Sequence, residues 1–280
     1  ATIGCGDATA ESGNAATESV SEGPQPLDSF DAELWLDQEW VGDLDGMVER
    51  GVVRVLVVYS LGQYFLDGAT QRGITYEALT EFEKFLNQRL GRRPVKVSVL
   101  IIPVQRNELL PALERGLGDI AAANLTITRS RLEKVEFSDP FLTDVRELLV
   151  TGPVGPELRS LDDLSGTEMY VRRSSSYWRS LEKLNEGFQA RGLKPVDLVP
   201  ADEFLQDEDL LEMVNAGLLP AVVVDSHKAG FWAGIFDDIR VHEDLVVRSG
   251  GEIAWAFRKD SQHLAEVINA FVGKHRKGTL

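Results

Sequence analysis

Residues 118–141 read GDIAAANLTITRSRLEKVEFSDPF, and this stretch decides how the rest of the chain is interpreted. Its first part, residues 119–123, predicts a short β-strand. Polar residues follow at once: Asn124, Thr126 and, five positions later, Arg131. The carboxyl end of a strand is where open α/β sheets bind their ligands.

The segments around this strand alternate between strand and helix patterns. Residues 54–59 and 95–102 are rich in β-branched residues and predict strands, whereas Ile74–Leu90 has apolar residues at helical spacing and is followed by Gly91. Further strand patterns cover residues 146–151, 169–171, 221–224 and 253–257, and further helix patterns cover residues 107–114, 161–164, 174–184, 210–216 and 261–275. This alternation predicts an α/β fold with a mostly parallel sheet.

Two segments, near residues 146–153 and 245–252, are expected to cross between two lobes. A GPVGP break at residues 152–156 follows the first crossing, and Gly250 and Gly251 lie within the second. Two such lobes form a cleft with a hinge. The predicted division is residues 1–31 as a disordered acidic tether, 32–50 as a short docking segment, 51–150 with 248–280 as lobe 1, and 151–247 as lobe 2.

The composition is globular, with 43% hydrophobic and 26% charged residues, but the charge is unevenly distributed. The first 50 residues hold 12 acidic residues and one basic residue, so they carry −11 of the net charge of −16. This acidity argues against nucleic acid and against an anionic bilayer surface as partners. No stretch approaches 18 consecutive apolar residues, so the sequence predicts no transmembrane helix.

The N-terminal segment has little to bury. Residues 1–31 are rich in Ala, Ser, Thr, Gly and Glu, which predicts a disordered tether. Its one distinctive residue is Cys5 in ATIGC, which resembles the end of a bacterial lipoprotein signal, where the cysteine takes the lipid. Thr2 stands where that pattern usually has Leu, and an ordinary free thiol is the alternative. Residues 34–49 carry apolar side chains at a spacing that suits a short amphipathic helix docked on the body.

Several motifs, in their order along the chain, resemble those of one protein family. They are residues 124–141, LPALERG at 110–116 followed by GDI at 118–120, SLDDLSG at 160–166 and AWAFRKD at 254–260. Together they resemble the periplasmic solute-binding proteins of the amino-acid-binding type (class 2) over residues 53–280. The resemblance implies a two-lobed periplasmic-binding-protein type II fold, with two mixed, mostly parallel sheets, a two-strand hinge and a ligand cleft.

The resemblance also implies which residues hold a ligand. Arg131 corresponds to the arginine that binds the ligand's carboxylate, and Thr126 to a hydroxyl and N–H donor to the same group. Ser175 corresponds to another hydroxyl contact with that carboxylate. Asn124 corresponds to the residue whose backbone carbonyl faces the ligand's ammonium, and Asp225 to the ammonium-binding aspartate. The alternatives are structural: a surface ion pair for Arg131 and a helix cap for Asp225.

Further candidates lie beside these residues. Ser174, Ser175 and Ser176 open a helix whose exposed N–H groups and dipole favour an anion, although one of the three is expected to be the N-cap. Tyr64, with Phe65 beside it, is expected either to line the side-chain pocket or to pack in the core.

Two adjacent arginines are candidates for the site or for the surface, and a run of acidic residues is a candidate for the surface. Arg172 and Arg173 stand where many relatives have small residues, so they either favour an acidic ligand or lie on the surface. The acids of residues 202–209 are expected to form a solvated loop and helix start. The four histidines are scattered without the spacing of a zinc site, and neither a metal nor a cofactor is predicted.

A narrower resemblance is to the sensor module of membrane-bound lytic transglycosylase F-like proteins. It rests on YVRRSSSY at 170–177, DEDLLEMVNAG at 207–217 and KGTL at 277–280. It implies a regulatory module that recognises an amino acid or a small cell-wall peptide. This module would be located in the periplasm and lipid-anchored through Cys5. A peptidoglycan-cleaving domain would follow in cis. We therefore expect this chain itself to be a monomeric binding module and no enzyme.

Two other functions stay open. The first is a free-standing amino-acid-binding protein of an ABC transporter, which a stop codon after residue 280 would favour. The second is an enzyme on this fold, similar to cyclohexadienyl dehydratase. Such an enzyme needs an acid or base in the cleft besides the ligand clamp, and the sequence nominates none.

Overall fold

The computed structural model describes residues 38–275, so the proposed tether with Cys5 and the first part of the docking segment lie outside the described residues. The strands are β1 (Val52–Val57), β2 (Phe65–Asp67), β3 (Thr70–Arg72), β4 (Ser98–Pro103), β5 (Ile120–Thr126), β6 (Glu136–Phe137), β7 (Leu142–Thr151), β8 (Glu168–Val171), β9 (Asp197–Pro200), β10 (Ala221–Asp225) and β11 (Arg240–Phe257). The helices are α1 (Leu44–Glu49), α2 (Ile74–Leu90), α3 (Leu109–Glu114), α4 (Arg129–Leu132), α5 (Ser176–Ala190), α6 (Asp207–Asn215), α7 (Ser226–Trp232) and α8 (Gln262–His275). Between residues 38 and 275, no helix is both long and apolar enough to cross a membrane.

One continuous sheet runs through both halves of the molecule, in the strand order β10-β7-β11-β5-β1-β4, with β6 paired to β11. Strand β1 is parallel to β4 and β5, and β8 is parallel to β9. The pairs that involve β7, β10 and β11 are antiparallel. The sheet is mixed, as predicted, but its antiparallel share is larger than the strand–helix rhythm indicates. The physical reason is that β7 and β11 carry the chain between the halves in opposite directions and pair with each other.

Separate hydrophobic cores define the two lobes. In lobe 1, helices α2 and α8 pack on one face of the sheet, where the rings of Phe82, Trp255 and Phe271 meet edge-on or stacked. Helix α3 covers the opposite face. In lobe 2, the core joins Leu181 and Phe188 of α5 to strands β8 and β10 and to helix α6. The proposed lobe boundaries, at residues 150/151 and 247/248, fall inside β7 and β11.

The described part of the docking segment packs on lobe 1. Leu44 and Met47 of α1 are buried in the lobe 1 core. The carboxylate of Asp43 accepts the backbone N–H groups of Leu44 at 2.7 Å, His263 at 2.8 Å and Leu264 at 2.9 Å. One side chain therefore caps the starts of both α1 and α8, which holds the segment against the body.

Candidate ligand-binding site

A distortion at the end of β5 positions the first site residues. Asn124 has a φ of +52°, in the left-handed region that asparagine tolerates better than most residues. The register of β5 against β11 shifts between Ala254 and Ala256. Bulges of this kind next to functional sites redirect side chains. Asn124 and Thr126 both end up lining a cavity between the lobes.

Most of the sequence-predicted residues meet at this cavity, which we call the cleft cavity. It is lined by Arg106, Asn124, Thr126, Arg131, Arg172, Ser175, Ser176, Tyr177, Asp207, Asp225 and Lys228. Its volume of about 20 Å³ is room for roughly one water molecule. The lobes are thus in contact, and a ligand the size of an amino acid requires them to move apart.

Arg131 projects into this cavity from the short helix α4. Its Nη1 donates to the carbonyl oxygen of Thr126 at 2.7 Å, and its Nη2 donates across the cleft to the carbonyl oxygen of Ser174 at 3.0 Å. Burial, and then repulsion from Arg106, lower the pKa of Arg131 to about 10, so it is still charged at neutral pH. Arg131 is a cation whose hydrogen bonds go to carbonyl groups, which leaves its charge available to an anion.

Asp225 ends β10 on the opposite side of the cavity. The residue is 2% exposed, and its Oδ1 has no hydrogen-bond partner among the described residues. Its Oδ2 lies 4.0 Å from Lys228 Nζ. Burial raises the pKa of this carboxyl, and Lys228 offsets part of the effect. The side chain makes no capping hydrogen bond to α7, so the alternative of a helix cap is not realised. Asp225 therefore presents an unpaired acceptor for a cation.

The three serines have different surroundings. Ser175 lines the cleft cavity and is also the N-cap of α5, where its hydroxyl accepts the Tyr177 N–H at 3.1 Å. Ser176 Oγ lies 3.2 Å from Glu147 Oε1 and 3.4 Å from Thr126 Oγ1. The Ser174 hydroxyl donates to Glu203 at 2.5 Å, and Ser174 does not line the cleft cavity. Its prediction as a ligand-binding residue is therefore corrected.

Tyr64 is a second correction. Its side chain is 5% exposed and packs in the lobe 1 core rather than along the cleft cavity. Its hydroxyl donates to Gln71 Oε1 at 3.0 Å. The β2–β3 hairpin begins directly after Tyr64, and its Gln71 accepts this hydrogen bond while the ring packs in the core.

The run of acids at residues 202–209 is a third correction. Asp207 and Glu208 are 3% and 7% exposed, so this part is a buried helix start rather than a solvated one. Asp207 binds Arg172 and Lys228 and accepts the Tyr177 hydroxyl at 3.2 Å. Burial alone would raise the pKa of Asp207, but Lys228 and Arg172 outweigh it and hold that pKa far below its usual range. The charge of Arg172 is thereby matched within the protein.

Four cavity residues were missed by sequence reasoning: Arg106, Tyr177, Asp207 and Lys228. Only Lys228 had a usable signal, because it lies three residues after Asp225 and therefore on the same helical face. Glu147, which lies next to the cavity, was missed as well. It is paired directly opposite Asp225 across β7 and β10 and is 1% exposed. Burial raises its pKa, although hydrogen bonds from serines offset part of the rise.

Two further features surround the cleft cavity. Across the lobes, Ser60 Oγ donates to Glu208 Oε1 at 2.6 Å and Arg106 Nε donates to Gln206 Oε1 at 3.0 Å. On another side, a largely apolar cavity of about 350 Å³ shares Asn124 with it. His227 also lines this larger cavity, and burial lowers the pKa of its imidazole to about 4.

The comparison with protein families identifies the fold and the class of protein. The model of the bacterial extracellular solute-binding proteins, family 3, matches residues 63–280. The chain belongs to this family. It is thus a solute-binding domain of the amino-acid-binding type, and the type II periplasmic-binding-protein fold predicted from the sequence is confirmed.

Two curated relatives match most of this chain. The chain is 28% identical over 223 residues to membrane-bound lytic murein transglycosylase F of Desulfosudis oleivorans, covering 80% of this chain and 45% of the relative. It is 29% identical over 248 residues to membrane-bound lytic murein transglycosylase F 1 of Alkalilimnicola ehrlichii, covering 87% of this chain and 47% of the relative. The chain therefore spans about half the length of the curated relatives it matches.

Solved structures show the same architecture. An ancestral arginine-binding protein bound to arginine superposes with a TM-score of 0.63 at 24% identity, covering 82% of this chain and 94% of that one. An amino acid ABC transporter substrate-binding protein of Streptococcus pneumoniae, bound to L-arginine, gives a TM-score of 0.63 at 19% identity, covering 82% and 91%. At these identities the likeness establishes the fold alone.

Proposed function

We propose that the inter-lobe cleft binds an amino acid or a small cell-wall peptide, and that this chain is the sensor part of a membrane-bound lytic transglycosylase. The observation that carries the binding proposal is the pairing of Arg131 with Asp225 across one cavity. One is a cation bonded only to carbonyl groups, and the other is a buried carboxylate with an unpaired oxygen. A zwitterion supplies the complement of both.

Each group of the zwitterion finds further partners in the cavity. Thr126 lines the cavity from lobe 1, as Arg131 does, and Ser175 lines it from lobe 2; both hydroxyls suit a carboxylate. Asn124, whose left-handed backbone ends the regular part of β5, lies with Asp225 and suits an ammonium through its carbonyl oxygen. The adjoining apolar cavity of about 350 Å³ gives room for a group larger than an amino-acid backbone, which supports a peptide or a large side chain.

The names of the relatives and the contacts between the lobes support the sensor role. The curated relatives are named lytic murein transglycosylases, and this chain matches about half of each. Ligand binding would stabilise the closed arrangement that the Ser60–Glu208 and Arg106–Gln206 bonds already favour. A signal passes to another domain only if the ligand's affinity differs between the open and closed arrangements.

The proposed location rests on the relatives and on Cys5. The relatives are named membrane-bound, and a lipid on Cys5 would anchor this chain in the periplasm. Mass spectrometry of the native, membrane-extracted protein tests this proposal: we expect a lipid mass on Cys5, and an unmodified thiol would contradict it.

A free-standing binding protein of an ABC transporter is the second candidate. It is supported by the structural neighbours, one of which is named an amino acid ABC transporter substrate-binding protein. The coding sequence downstream of Leu280 separates the two proposals. An open reading frame that continues into a transglycosylase domain favours the sensor, and a stop codon favours the transporter protein.

Isothermal titration calorimetry against the amino acids and fragments of the peptidoglycan stem peptide tests the binding proposal. We expect saturable binding of at least one of them, and loss of that binding in Arg131→Ala and in Asp225→Ala. Arg129→Ala, in the same short helix but exposed, is the matched control and should bind as the wild type does. Unchanged affinity in both cavity variants would contradict the proposal.

A further inference from the structure

The cleft cavity carries more positive than negative charge, in a chain whose net charge is −16. Its lining cations are Arg106, Arg131, Arg172 and Lys228, and its lining carboxylates are Asp207 and Asp225. A cationic cleft in an acidic protein attracts negatively charged groups to the place where a ligand is held. The excess of positive charge therefore indicates the charge of that ligand.

The excess positive charge of the cleft cavity comes from two guanidinium groups, those of Arg106 and Arg131. Arg172 and Lys228 both bind Asp207, and Lys228 also lies 4.0 Å from Asp225. Arg106 and Arg131 take no part in these ion pairs. Arg106 donates instead to the amide oxygen of Gln206 at 3.0 Å and to the carbonyl oxygen of Ala123 at 3.2 Å. The hydrogen bonds of these two guanidinium groups thus go to neutral oxygens, and the carboxylates of Asp207 and Glu208 near Arg106 and of Asp225 near Arg131 act on them without a direct bond.

These two groups are close enough to repel one another. Burial lowers the pKa of Arg106, and repulsion from Arg172 lowers it further. The pKa of Arg131 is lowered by burial and then by Arg106. The α-carboxylate of an ordinary amino acid carries one negative charge, so it pairs with Arg131 and leaves Arg106 without a carboxylate bonded to it among the described residues.

A third cavity, distinct from the apolar one, extends the positive surface outward. It has a volume of about 300 Å³, shares Arg106 and Arg131 with the cleft cavity, and adds Lys134, Arg173 and Arg179 with several hydroxyls. Its lining, within the described residues, contains no carboxylate. Glu182, 3.3 Å from Arg179, and Glu203, bonded to Ser174, are the acids at its edge. The approach to Arg106 therefore favours anions as well.

We propose that the cleft selects a ligand with a second acidic group besides its α-carboxylate, and that Arg106 binds this second group. The proposal rests on the proposed function, since it adds a specificity to the same site. Guanidinium groups pair with carboxylates through two parallel hydrogen bonds, a geometry that an uncharged amide cannot match. An acidic amino acid and a short peptide with an acidic side chain present the same chemistry.

Calorimetry with matched acid and amide ligands tests the proposal. The first pair is glutamate with glutamine, and the second is aspartate with asparagine, each in both enantiomers. The third pair is the dipeptide Ala-Glu with Ala-Gln. We expect the wild type to bind the acidic member of at least one pair about tenfold or more tightly than the amide. The dipeptide pair separates a peptide from a free amino acid as the source of the second acid.

Variants at Arg106 assign the preference to this residue. Arg106→Gln should bind acid and amide with affinities within about twofold of each other. Arg106→Lys, which keeps the charge, should retain part of the preference and covers the case in which the glutamine variant does not fold. Arg89→Gln, an exposed arginine near the end of α2, is the control and should keep the full preference.

The outcomes separate the two proposals. Equal affinity for acid and amide in the wild type, binding of neutral amino acids only, or an unchanged preference in Arg106→Gln would each overturn the specificity proposal and leave the binding proposal standing. Absence of binding by every amino acid and peptide would overturn the binding proposal itself.

Discussion

At the residue scale, the carboxylate of Asp225 lies where it costs stability, which supports the proposed ligand site. It is buried with one oxygen unpaired, and burial raises its pKa. Holding a poorly partnered charge inside a protein costs free energy that only a bound cation recovers. Proteins commonly retain such residues where binding requires them.

Asp225→Asn should therefore stabilise the free protein while abolishing ligand binding. We expect a gain of about 1 kcal/mol in the free energy of unfolding at pH 7, because the variant keeps the side-chain volume and removes the buried charge. A group with a raised pKa in the folded state makes the wild type relatively more stable as the pH falls. The gain should thus shrink as the pH approaches the pKa of Asp225. Urea unfolding from pH 7 to pH 4 measures this, and a variant less stable than the wild type at pH 7 would contradict it.

Asp207 has the opposite role, since its charge is matched by Arg172 and Lys228 in the protein itself. Asp207→Asn leaves the buried Arg172 without a counter-ion and Lys228 with only the more distant Asp225, and should lower the free energy of unfolding by about 3–5 kcal/mol. Glu212→Gln, on the exposed side of the same helix, should change it by less than about 0.5 kcal/mol. Chemical denaturation of both variants measures the difference, and similar small effects would show that the network is dispensable.

The sequence predicted the residues of the site that follow a strand within a recognisable motif. Asn124, Thr126 and Arg131 are of this kind, and Asp225 ends a strongly apolar strand. Arg106, Asp207 and Glu147 gave no such signal, because each reaches the site only through the way separate elements pack. The aromatic character of Tyr64 alone left the pocket and the core open, and its side chain packs in the lobe 1 core.

At the element scale, the regular apolar segments were the ones that the sequence could predict. Helix α2 has the predicted limits, and β1, β4, β5 and β10 lie within a few residues of theirs. The first half of β11 was missed because its side chains are mostly half-buried or exposed and show no apolar run. Helix α7 is absent from the predicted helix patterns, and its residue before the first turn, Asp225, makes no side-chain capping hydrogen bond.

The close approach of β7 and α6 gives a test of packing in lobe 2. A Cβ at Gly152, directly after β7, would lie 2.1 Å from the carbonyl oxygen of Val214 in α6. Gly152→Ala should therefore cost about 1–3 kcal/mol of stability. Gly187→Ala, in α5 with open space around its Cβ position, should instead stabilise by up to about 1 kcal/mol. Thermal unfolding of both variants measures the contrast, and a neutral Gly152→Ala would show that the elements separate easily.

At the scale of the whole molecule, charge divides the chain into two parts. The first 50 residues carry −11, so residues 51–280 carry only −5 of the total of −16. Within this nearly balanced body the cleft cavity is lined by more cations than carboxylates. The overall acidity therefore describes the N-terminal segment and not the surface that would meet a ligand.

The isolated chain should not cleave peptidoglycan. Cleavage of a glycosidic bond needs a carboxyl group that can protonate the leaving oxygen, and Asp225 is the carboxyl group that we propose holds the ligand's ammonium. Asp207 is in addition held as a carboxylate by its two cations. Incubation of the purified chain with peptidoglycan should release no muropeptides above background, beside a muramidase as positive control. Measurable turnover would overturn the interpretation of this chain as a binding module.

The most direct test of the central claim is a crystal structure of the protein with the tightest ligand found by calorimetry. We expect the ligand between the lobes, with its carboxylate on the guanidinium of Arg131 and its ammonium on the free oxygen of Asp225. Electron density for the ligand outside the cleft, or in the cleft without contact to either side chain, would contradict it.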